Sequence, residues 1–216
     1  YYQDWLADPN FPFVWRNDVI EAGSGAHGDM NAHLVDLARY LVGEVTDVAG
    51  TQNIFVKERP VGDGPETRKV TADDATSFLC HFENGALGSF ITSRFATGRK
   101  NYLKFELFGS KGSLKFELER LNELQYFSTA DDTGDQGFRT ILVTEGVHPF
   151  INAWWPPGHI IGWEHTFIHE VKTFLDAITH QQPLKPNFYD GWKTQQVMDA
   201  VVTAAENKKW VNLVDL

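Results

Sequence analysis

The spacing of apolar residues changes twice along the chain, and this change limits the possible folds more than any other feature. Between about Val45 and Val143, apolar side chains recur at every second residue, as they do in strands with one covered face. Turn-forming runs at residues 83–85 and 109–112 predict hairpins between neighbouring strands. The predicted strands are 45–57, 66–71, 75–83, 86–95, 101–109, 113–118, 122–128 and 138–144.

On either side of this region the apolar spacing is that of a helix. It predicts helices over 29–41, 164–178 and about 192–207, the last with Asp190 or Gly191 near its N-terminal cap. For residues 1–28 the sequence predicts irregular structure. One helix, a series of hairpin-linked strands and two further helices indicate an α+β fold. We expect an open, predominantly antiparallel β-sheet with helices packed on one face.

The composition excludes several classes of protein. The chain has 216 residues, of which 42% are hydrophobic and 22% charged, as in ordinary soluble globular proteins. Its net charge of −10 argues against nucleic acid and against an anionic membrane surface as partners. No apolar run approaches the ~20 residues that a membrane-spanning helix needs. The single cysteine, Cys80, lies in the apolar run FLCHF, which predicts a buried thiol and a cytoplasmic, reducing environment.

A glycine run before the first predicted helix resembles a nucleotide-binding loop. Residues 23–28, GSGAHG, match the G-x-G-x-x-G pattern of dinucleotide-binding turns. The preceding run WRNDVIEA is too charged to be the buried strand that this site requires. In addition, Asp29 would repel a pyrophosphate from the helix N-terminus. We therefore interpret the run as a turn that leads into a helix.

The first predicted helix carries residues suited to acid–base chemistry. Asp29 and His33 are four residues apart, which makes them neighbours on one helix face, and Asp36 follows one turn later. A carboxylate beside an imidazole can fix the tautomer of the ring, which can then accept a proton from a hydroxyl group. Spacing alone leaves two other interpretations open, since Asp29 is also a good helix cap and surface His–Asp pairs are common.

Longer stretches of sequence resemble one enzyme family. The run GSGAHGDMNAHLVDLARYLVGEVTDV is similar to the signature of the Gfo/Idh/MocA oxidoreductases, in which a glycine-rich turn leads into D-x-x-x-H-x-x-D. Upstream, DWLADPNFPFVWR resembles the segment with the family's Trp-Arg pair. Downstream, FENGALGSFITSRFATG and ELFGSKGSLKFELERLNEL resemble its sheet hairpins. NFYDGWKTQQVMDAVVTAAENKKWVNL resembles its closing helix and strand, so the resemblance covers nearly the whole chain.

The resemblance implies that residues 1–216 are a C-terminal substrate-binding and oligomerisation domain. Its fold would be like that of the C-terminal domain of glyceraldehyde-3-phosphate dehydrogenase. A separate N-terminal Rossmann domain would bind NAD or NADP and would supply the lysine of an E-K-P motif. The run at residues 57–60, KERP, is similar but stands in a different context. The complete enzyme would transfer hydride between the cofactor and a sugar, polyol or related carbinol, and this chain alone would be inactive.

The resemblance also implies roles for individual residues. His33 would be the general base or acid at the carbinol oxygen, and Asp29 would orient the imidazole and the sugar hydroxyls. Trp15 and Arg16 would approach the cofactor, and Arg16 also the substrate. Arg94 is a second candidate for substrate contact. The alternative for both arginines is a surface salt bridge.

Two histidine-containing segments remain open to interpretation. His159 and Trp155 flank the run Pro156-Pro157-Gly158, in a loop that could close over a sugar or contact another subunit. His165 and His169 have the spacing of a metal-binding pair. They lie opposite the apolar stripe of their helix, so we favour a solvated face, and we predict no metal site.

Two other functions compete with the dehydrogenase. The first is a non-catalytic carbohydrate-binding or scaffold module of the same fold, against which the presence of Asp29 and His33 argues. The second is a metal-dependent hydrolase or isomerase that uses His27, Asp29, His33 and Asp36, but no cysteine cluster or H-E-x-x-H motif supports it. Under the leading interpretation we expect a homodimer or homotetramer formed through the open sheet face.

Overall fold

The computed structural model describes residues 1–215, and the chain divides into two compact units. The first unit contains Tyr1–Lys100 and the segment from Pro186 onward, and the second contains Asn101–Lys185. The helices are α1 Val19–Ala22, α2 Ala32–Leu41, α3 Trp163–Thr179 and α4 Phe188–Asn207. The strands are β1 Val45–Asn53, β2 Glu58–Pro60, β3 Thr67–Lys69, β4 Ala75–Phe82, β5 Leu87–Ser93, β6 Lys104–Gly109, β7 Gly112–Glu117, β8 Glu123–Ser128, β9 Arg139–Leu142 and β10 Val211–Asn212. Within residues 1–215, no helix is both long and apolar enough to cross a membrane.

The first unit is built on an antiparallel sheet with the strand order β10-β1-β4-β5. One face of the sheet is buried, and α4 packs against it on β1. Along β4, Phe78, Cys80 and Phe82 are buried on this face, and burial raises the pKa of the Cys80 thiol to about 12. The other face is open, because Leu79 and the β5 residues Leu87 and Ile91 remain exposed there. Each fully buried Val or Phe contributes about 1.5–3 kcal/mol, so the α4 side supplies most of the core stability.

An N-terminal arm, residues 1–11, lies along the edge of this sheet. Tyr2 pairs with Ser93 as in a parallel strand, and the Gln3 amide donates to the Ser93 carbonyl at 2.9 Å. Arg59 holds the rest of the arm, since its fully buried guanidinium donates to three backbone carbonyls. These are the carbonyls of Leu6, Asp8 and Phe11, at 2.6, 2.8 and 3.2 Å.

The second unit contains the antiparallel sheet β6-β7-β8-β9 and the helix α3. Its register places apolar residues together on one face, in rows such as Phe105, Phe116 and Leu124. Glu106, Lys115 and Gln125 form a row on the other face. This agrees with the alternation of apolar and polar residues that the sequence shows over 113–118.

The α+β class and the antiparallel pairing of the strands are confirmed. The single open sheet that we predicted is divided into two four-stranded sheets and the two-stranded sheet β2-β3. The reason lies at β5, whose outer edge is occupied by the N-terminal arm through the hydrogen bonds of Ser93. An edge that is already paired cannot accept the next strand of the chain. The short strand β2 was not predicted from the sequence, because it shows no sustained alternation. The strand β10 lies in the run that resembles the family's closing helix and strand.

Two helix predictions were wrong in detail. The third predicted helix begins earlier, since α4 is capped by Asn187, whose side chain accepts from the Tyr189 amide at 2.8 Å. Asp190 completes a capping box there, so it is not the cap itself. We expected the helices to pack on a sheet through their apolar stripes. The stripe of α3 does not do so, since no residue of α3 is buried. Its large apolar side chains are about half exposed: Phe167, Ile168, Val171, Phe174, Leu175 and Ile178.

Candidate active site

The glycine run is a tightly packed turn whose amides are already hydrogen-bonded. The Asp73 carboxylate accepts from the amides of Gly25 and His27, both at 2.8 Å, and the Asp73 carbonyl accepts from Ala26. Gly28 donates to the Ser24 hydroxyl at 2.9 Å. A Cβ at Gly25 would lie 2.0 Å from the Asp73 carbonyl oxygen, so this position requires glycine. The donors that a pyrophosphate would need are therefore engaged within the protein, in agreement with a turn.

The turn continues into one π-helical turn, His27–Asn31, before α2 begins at Ala32. We had predicted a regular α-helix from Asp29. A π-helical turn contains one residue more than an α-helical turn, and it therefore changes the directions of the side chains on either side of it. Asp29 lies within this turn and His33 lies beyond it, so the i,i+4 argument does not apply to this pair.

A cavity of about 740 Å³ opens beside these residues and is formed within the first unit. The structure brings to it most of the residues that the sequence singled out. Those on the lining are Trp15, Arg16, His27, Asp29, His33, Asp36 and Arg94. The α4 residues Thr194, Gln195, Met198, Asp199 and Val202 form another part of the lining.

Asp29 is paired with Arg94 in the structure, and not with His33. An oxygen of its carboxylate, Oδ2, accepts from Arg94 Nη2 at 2.7 Å. The Arg94 side chain is 3% exposed, whereas that of Asp29 is 44% exposed. The guanidinium lies 5.3 Å from the ring centre of Trp5, in a cation–π contact. The cation is thus buried behind the carboxylate, which faces the cavity.

His33 lies on the exposed side of α2 and contacts an aromatic residue of the arm. The rings of His33 and Tyr1 meet edge to face, with their centres 6.3 Å apart. Burial raises the pKa of the Tyr1 hydroxyl, and the negative charge of Asp29 adds to this effect. Tyr1 was not among the residues predicted for the site, because only the folding of the arm against β5 brings it near His33.

His27 differs from His33 in being buried and held on both ring nitrogens. Its Nε2 lies 2.9 Å from the Met198 carbonyl, which can only accept, so Nε2 donates. Nδ1 then accepts from the Asn31 side-chain amide at 3.0 Å. Burial lowers the pKa of His27, although the hydrogen bond to Met198 opposes this shift. His27 is therefore a neutral structural residue that joins the π-helical turn to α4.

Trp15 and Arg16 form one exposed aromatic and cationic corner of the cavity. The guanidinium of Arg16 lies 4.3 Å from the ring centre of Trp15. Both residues belong to a short 3-10 turn, Trp15–Asn17, which the Asn17 side chain closes by accepting from the Val14 amide. This corner presents a flat apolar surface beside an exposed positive charge.

The α4 side of the cavity was missed by the sequence analysis. Gln195 donates to Asp199 at 2.7 Å, one helical turn apart, and both line the cavity. The signal was present, since Gln195 and Asp199 lie opposite the apolar side chains of Val197 and Val201. Nothing in the sequence, however, indicated that this polar face of α4 meets α2.

His159 and Trp155 lie in the second unit, in the loop before α3. Their rings are 6.0 Å apart, and His159 Nδ1 bonds to the Pro156 carbonyl at 2.8 Å. The loop is held by Thr144, whose hydroxyl accepts from the Gly158 amide. Trp155 is largely exposed, and it presents its ring on the surface of this unit.

The solvated face that we favoured for His165 and His169 was wrong, because both rings contact aromatic residues. Trp154 Nε1 donates to His169 Nε2 at 2.7 Å, and the ring of Phe150 stacks on His169. His165 accepts from the Gly162 amide and meets Trp154 edge-on. The histidine side of α3 is therefore the more covered side. Within residues 1–215, no group of three or more His, Cys, Asp or Glu side chains is placed to hold a metal ion.

Known proteins resemble the chain over its whole length. Levoglucosan dehydrogenase of Pseudarthrobacter phenanthrenivorans is 39% identical over 227 aligned positions, which cover 99% of this chain and 58% of that protein. The crystal structure of an oxidoreductase domain protein from Kribbella flavida has a TM-score of 0.95 and 45% identity, covering 98% of this chain and 57% of its own. A levoglucosan dehydrogenase in complex with NADH and levoglucosan has a TM-score of 0.92 and 40% identity, covering 98% and 56%.

The chain thus spans little more than half the length of the relatives that it matches. A family model, that of the GFO/IDH/MocA C-terminal domain, matches residues 1–115, which include the glycine run, α2 and Arg94. By this match, the chain belongs to the GFO/IDH/MocA family.

Proposed function

We propose that the full-length protein is an NAD(P)-dependent dehydrogenase that oxidises a carbinol of a sugar, polyol or related compound. One observation carries the proposal: Asp29 and His33 line a single cavity, in a chain whose relatives include a levoglucosan dehydrogenase bound to NADH and its sugar. A carboxylate and an imidazole together can orient a substrate hydroxyl and accept its proton.

The chemistry of this chain's own residues follows from their positions. His33 in its neutral form accepts the proton of the reacting hydroxyl, and in the reverse direction it returns that proton to the carbonyl oxygen. Asp29 accepts a hydrogen bond from a substrate hydroxyl and so fixes the orientation of the ring or chain. Neither step needs a carboxylate–imidazole pair, which agrees with the contact of Asp29 to Arg94.

The residues present fit a nicotinamide cofactor only at the edge of the cavity. A bound nicotinamide ring would supply the hydride acceptor. In this chain Trp15 and Arg16 are the residues proposed to touch the cofactor, through the indole surface and the positive charge. The amides of the glycine run do not fit the pyrophosphate, because Asp73 and Ser24 already bind them. We therefore propose that a Rossmann domain outside this chain binds most of the dinucleotide, and that the 216-residue chain alone is inactive.

Further contacts with substrate are proposed at the cavity and at the aromatic loop. Arg16 is exposed at the cavity and can donate to substrate hydroxyls. Arg94 belongs to the substrate side through its ion pair with Asp29. Trp155 and His159 offer a flat ring and a polar group, a combination that suits the apolar face of a sugar.

We also propose that the protein forms a homodimer or homotetramer through the open face of the first sheet. The exposed apolar residues Leu79, Leu87 and Ile91 support this surface. We place the protein in the cytoplasm, because the buried free thiol of Cys80 suits a reducing environment.

The test uses the full-length protein with NAD⁺ or NADP⁺ and a panel of levoglucosan, myo-inositol and a linear polyol. We expect an increase in absorbance at 340 nm with at least one member of the panel. His33→Ala should lower kcat/KM by about 10²- to 10⁴-fold, since it removes the proton acceptor. Asp29→Asn should also lower kcat/KM.

Matched exposed residues serve as controls. His180→Ala and Asp63→Asn change the same residue types outside the cavity and should leave kcat/KM within twofold. Binding of a panel sugar by the wild-type protein without any change in absorbance would favour the non-catalytic binding module. Full activity of His33→Ala would contradict the proposed proton acceptor.

A further inference from the structure

The ion pair of Arg94 and Asp29 combines a buried cation with a carboxylate that is nearly half exposed. The Arg94 side chain is almost completely buried, and its Nε has no hydrogen-bond partner among residues 1–215. A buried N–H group without a partner destabilises the folded protein. Nη2 of Arg94 donates to Oδ2 of Asp29 at 2.7 Å. The fold keeps this arginine although part of its hydrogen-bonding capacity is unused.

The surroundings of Arg94 fix its position on several sides. Its backbone amide donates to the Asp74 carbonyl, and its own carbonyl accepts from the Leu6 amide. Trp5 lies under the guanidinium and is itself held by the hydrogen bond of its indole N–H to Gln3. The guanidinium therefore has little freedom to move, whereas the carboxylate that it holds is nearly half exposed.

The π-helical turn explains why the carboxylate meets this cation. Asp29 belongs to the turn His27–Asn31, whose amides are tied to Asp73 and Ser24. This backbone conformation brings Asp29 into contact with Arg94, which lies 65 positions later in the sequence. Single π-helical turns are often found at functional sites, where they redirect one side chain.

We propose that Arg94, seated on Trp5, is a positioning residue that acts on the substrate through Asp29. Arg94 holds Oδ2 of the carboxylate and leaves Oδ1 available to the cavity. The carboxylate can then meet a substrate hydroxyl in a single orientation. This inference rests on the proposed function, and it names the residue that determines the geometry of the substrate-binding carboxylate.

A double-mutant cycle in the full-length enzyme tests the coupling. Arg94→Gln should lower kcat/KM by about 10- to 100-fold, as expected when a reacting group loses its alignment. In Asp29→Asn the residue on which Arg94 acts has already lost its charge, so adding Arg94→Gln should cause less than a threefold further loss. Arg94→Lys should recover part of the activity. Arg120→Gln, an exposed arginine of the second unit, is the matched control and should have no effect.

Additive losses in the cycle would overturn the inference and would favour direct contact of Arg94 with the substrate. A crystal structure of full-length Arg94→Gln gives a second test that does not depend on turnover. We expect the Asp29 carboxylate to leave its wild-type position, and an unmoved carboxylate would overturn the inference. If the wild-type enzyme turns over no member of the panel, the proposed function fails. The position of Asp29 in the variant still decides the role of Arg94.

Discussion

At the scale of single residues, His27 offers a test of stability that is separate from the chemistry of His33. Its pKa is lowered in the folded protein because the ring is buried, whereas in the unfolded chain it is near the ordinary value of 6.5. Above pH 6.5 the ring is neutral in both states, and its contribution to stability is complete. As the pH falls below 6.5, the unfolded chain binds a proton that the folded protein excludes, so stability is lost.

We therefore predict that the free energy of unfolding depends less on pH in His27→Gln than in the wild-type protein. At pH 7.5 the variant should be less stable by about 1–3 kcal/mol, since Met198 or Asn31 loses a hydrogen bond. At pH 5.5 the difference should be smaller, because the wild-type protein has lost stability through His27. Urea unfolding at the two pH values measures this difference. An equal difference at both values would contradict the assignment, and exposed His180→Gln is the control.

The roles of single residues could be predicted only in part from the sequence. Asp29, His33, Arg16 and Arg94 were selected from motif and resemblance, and the structure places all of them on one cavity. The partner of Asp29 was not predictable from spacing. It is determined by a π-helical turn and by a contact with β5, and helical periodicity carries no information on either.

At the scale of secondary-structure elements, one arginine links the helices that border the site. Arg39 of α2 is paired with Glu44 through two hydrogen bonds, at 2.9 and 2.7 Å. It also donates to the Asp190 carbonyl at the start of α4, at 2.8 Å. The hydrogen bonds to Glu44 raise the pKa of Arg39 and lower that of Glu44. The link joins α2 to the start of α4, and both helices line the cavity.

We predict that Arg39→Met destabilises the protein by about 1–3 kcal/mol. The Arg39 side chain is only 5% exposed, but Glu44 is 40% exposed and can be hydrated, which limits the loss. Arg120→Met is the matched control, because Arg120 is 64% exposed in its pair with Glu123 and should change stability by less than about 0.5 kcal/mol. Denaturant unfolding of the two variants provides the comparison, and equal losses would contradict the assigned link.

The bounds of α3 followed the apolar spacing closely, whereas its covered side did not. The predicted helix over 164–178 is α3, Trp163–Thr179. Yet α3 contacts Phe150 and Trp154 through its histidines, and its apolar stripe is exposed. Periodicity shows that a helix has two different faces. Periodicity does not show which of these faces packs against the rest of the chain and which remains exposed.

At the scale of the whole molecule, each unit leaves an apolar surface uncovered. In the first unit, cross-strand pairing places Leu79, Leu87 and Ile91 on the same open face, beside His81 and Ser89. Monomeric proteins rarely leave large contiguous apolar surfaces exposed, so such a face indicates a contact with another surface. The sequence predicted an open sheet face, and the register of β4 and β5 identifies the residues that form it.

We expect the open face of the first sheet to hold copies of the full-length protein together. Full-length protein should sediment as a dimer or tetramer at equilibrium. Leu79→Lys combined with Ile91→Lys would bury two unpaired charges at the contact, so we expect the mass to fall to that of a smaller species. Ile20→Lys changes a residue that is 91% exposed outside this face, and it should leave the mass unchanged. A monomeric wild-type protein, or an unaltered mass of the double variant, would show that the open face of the first sheet does not hold copies of the chain together.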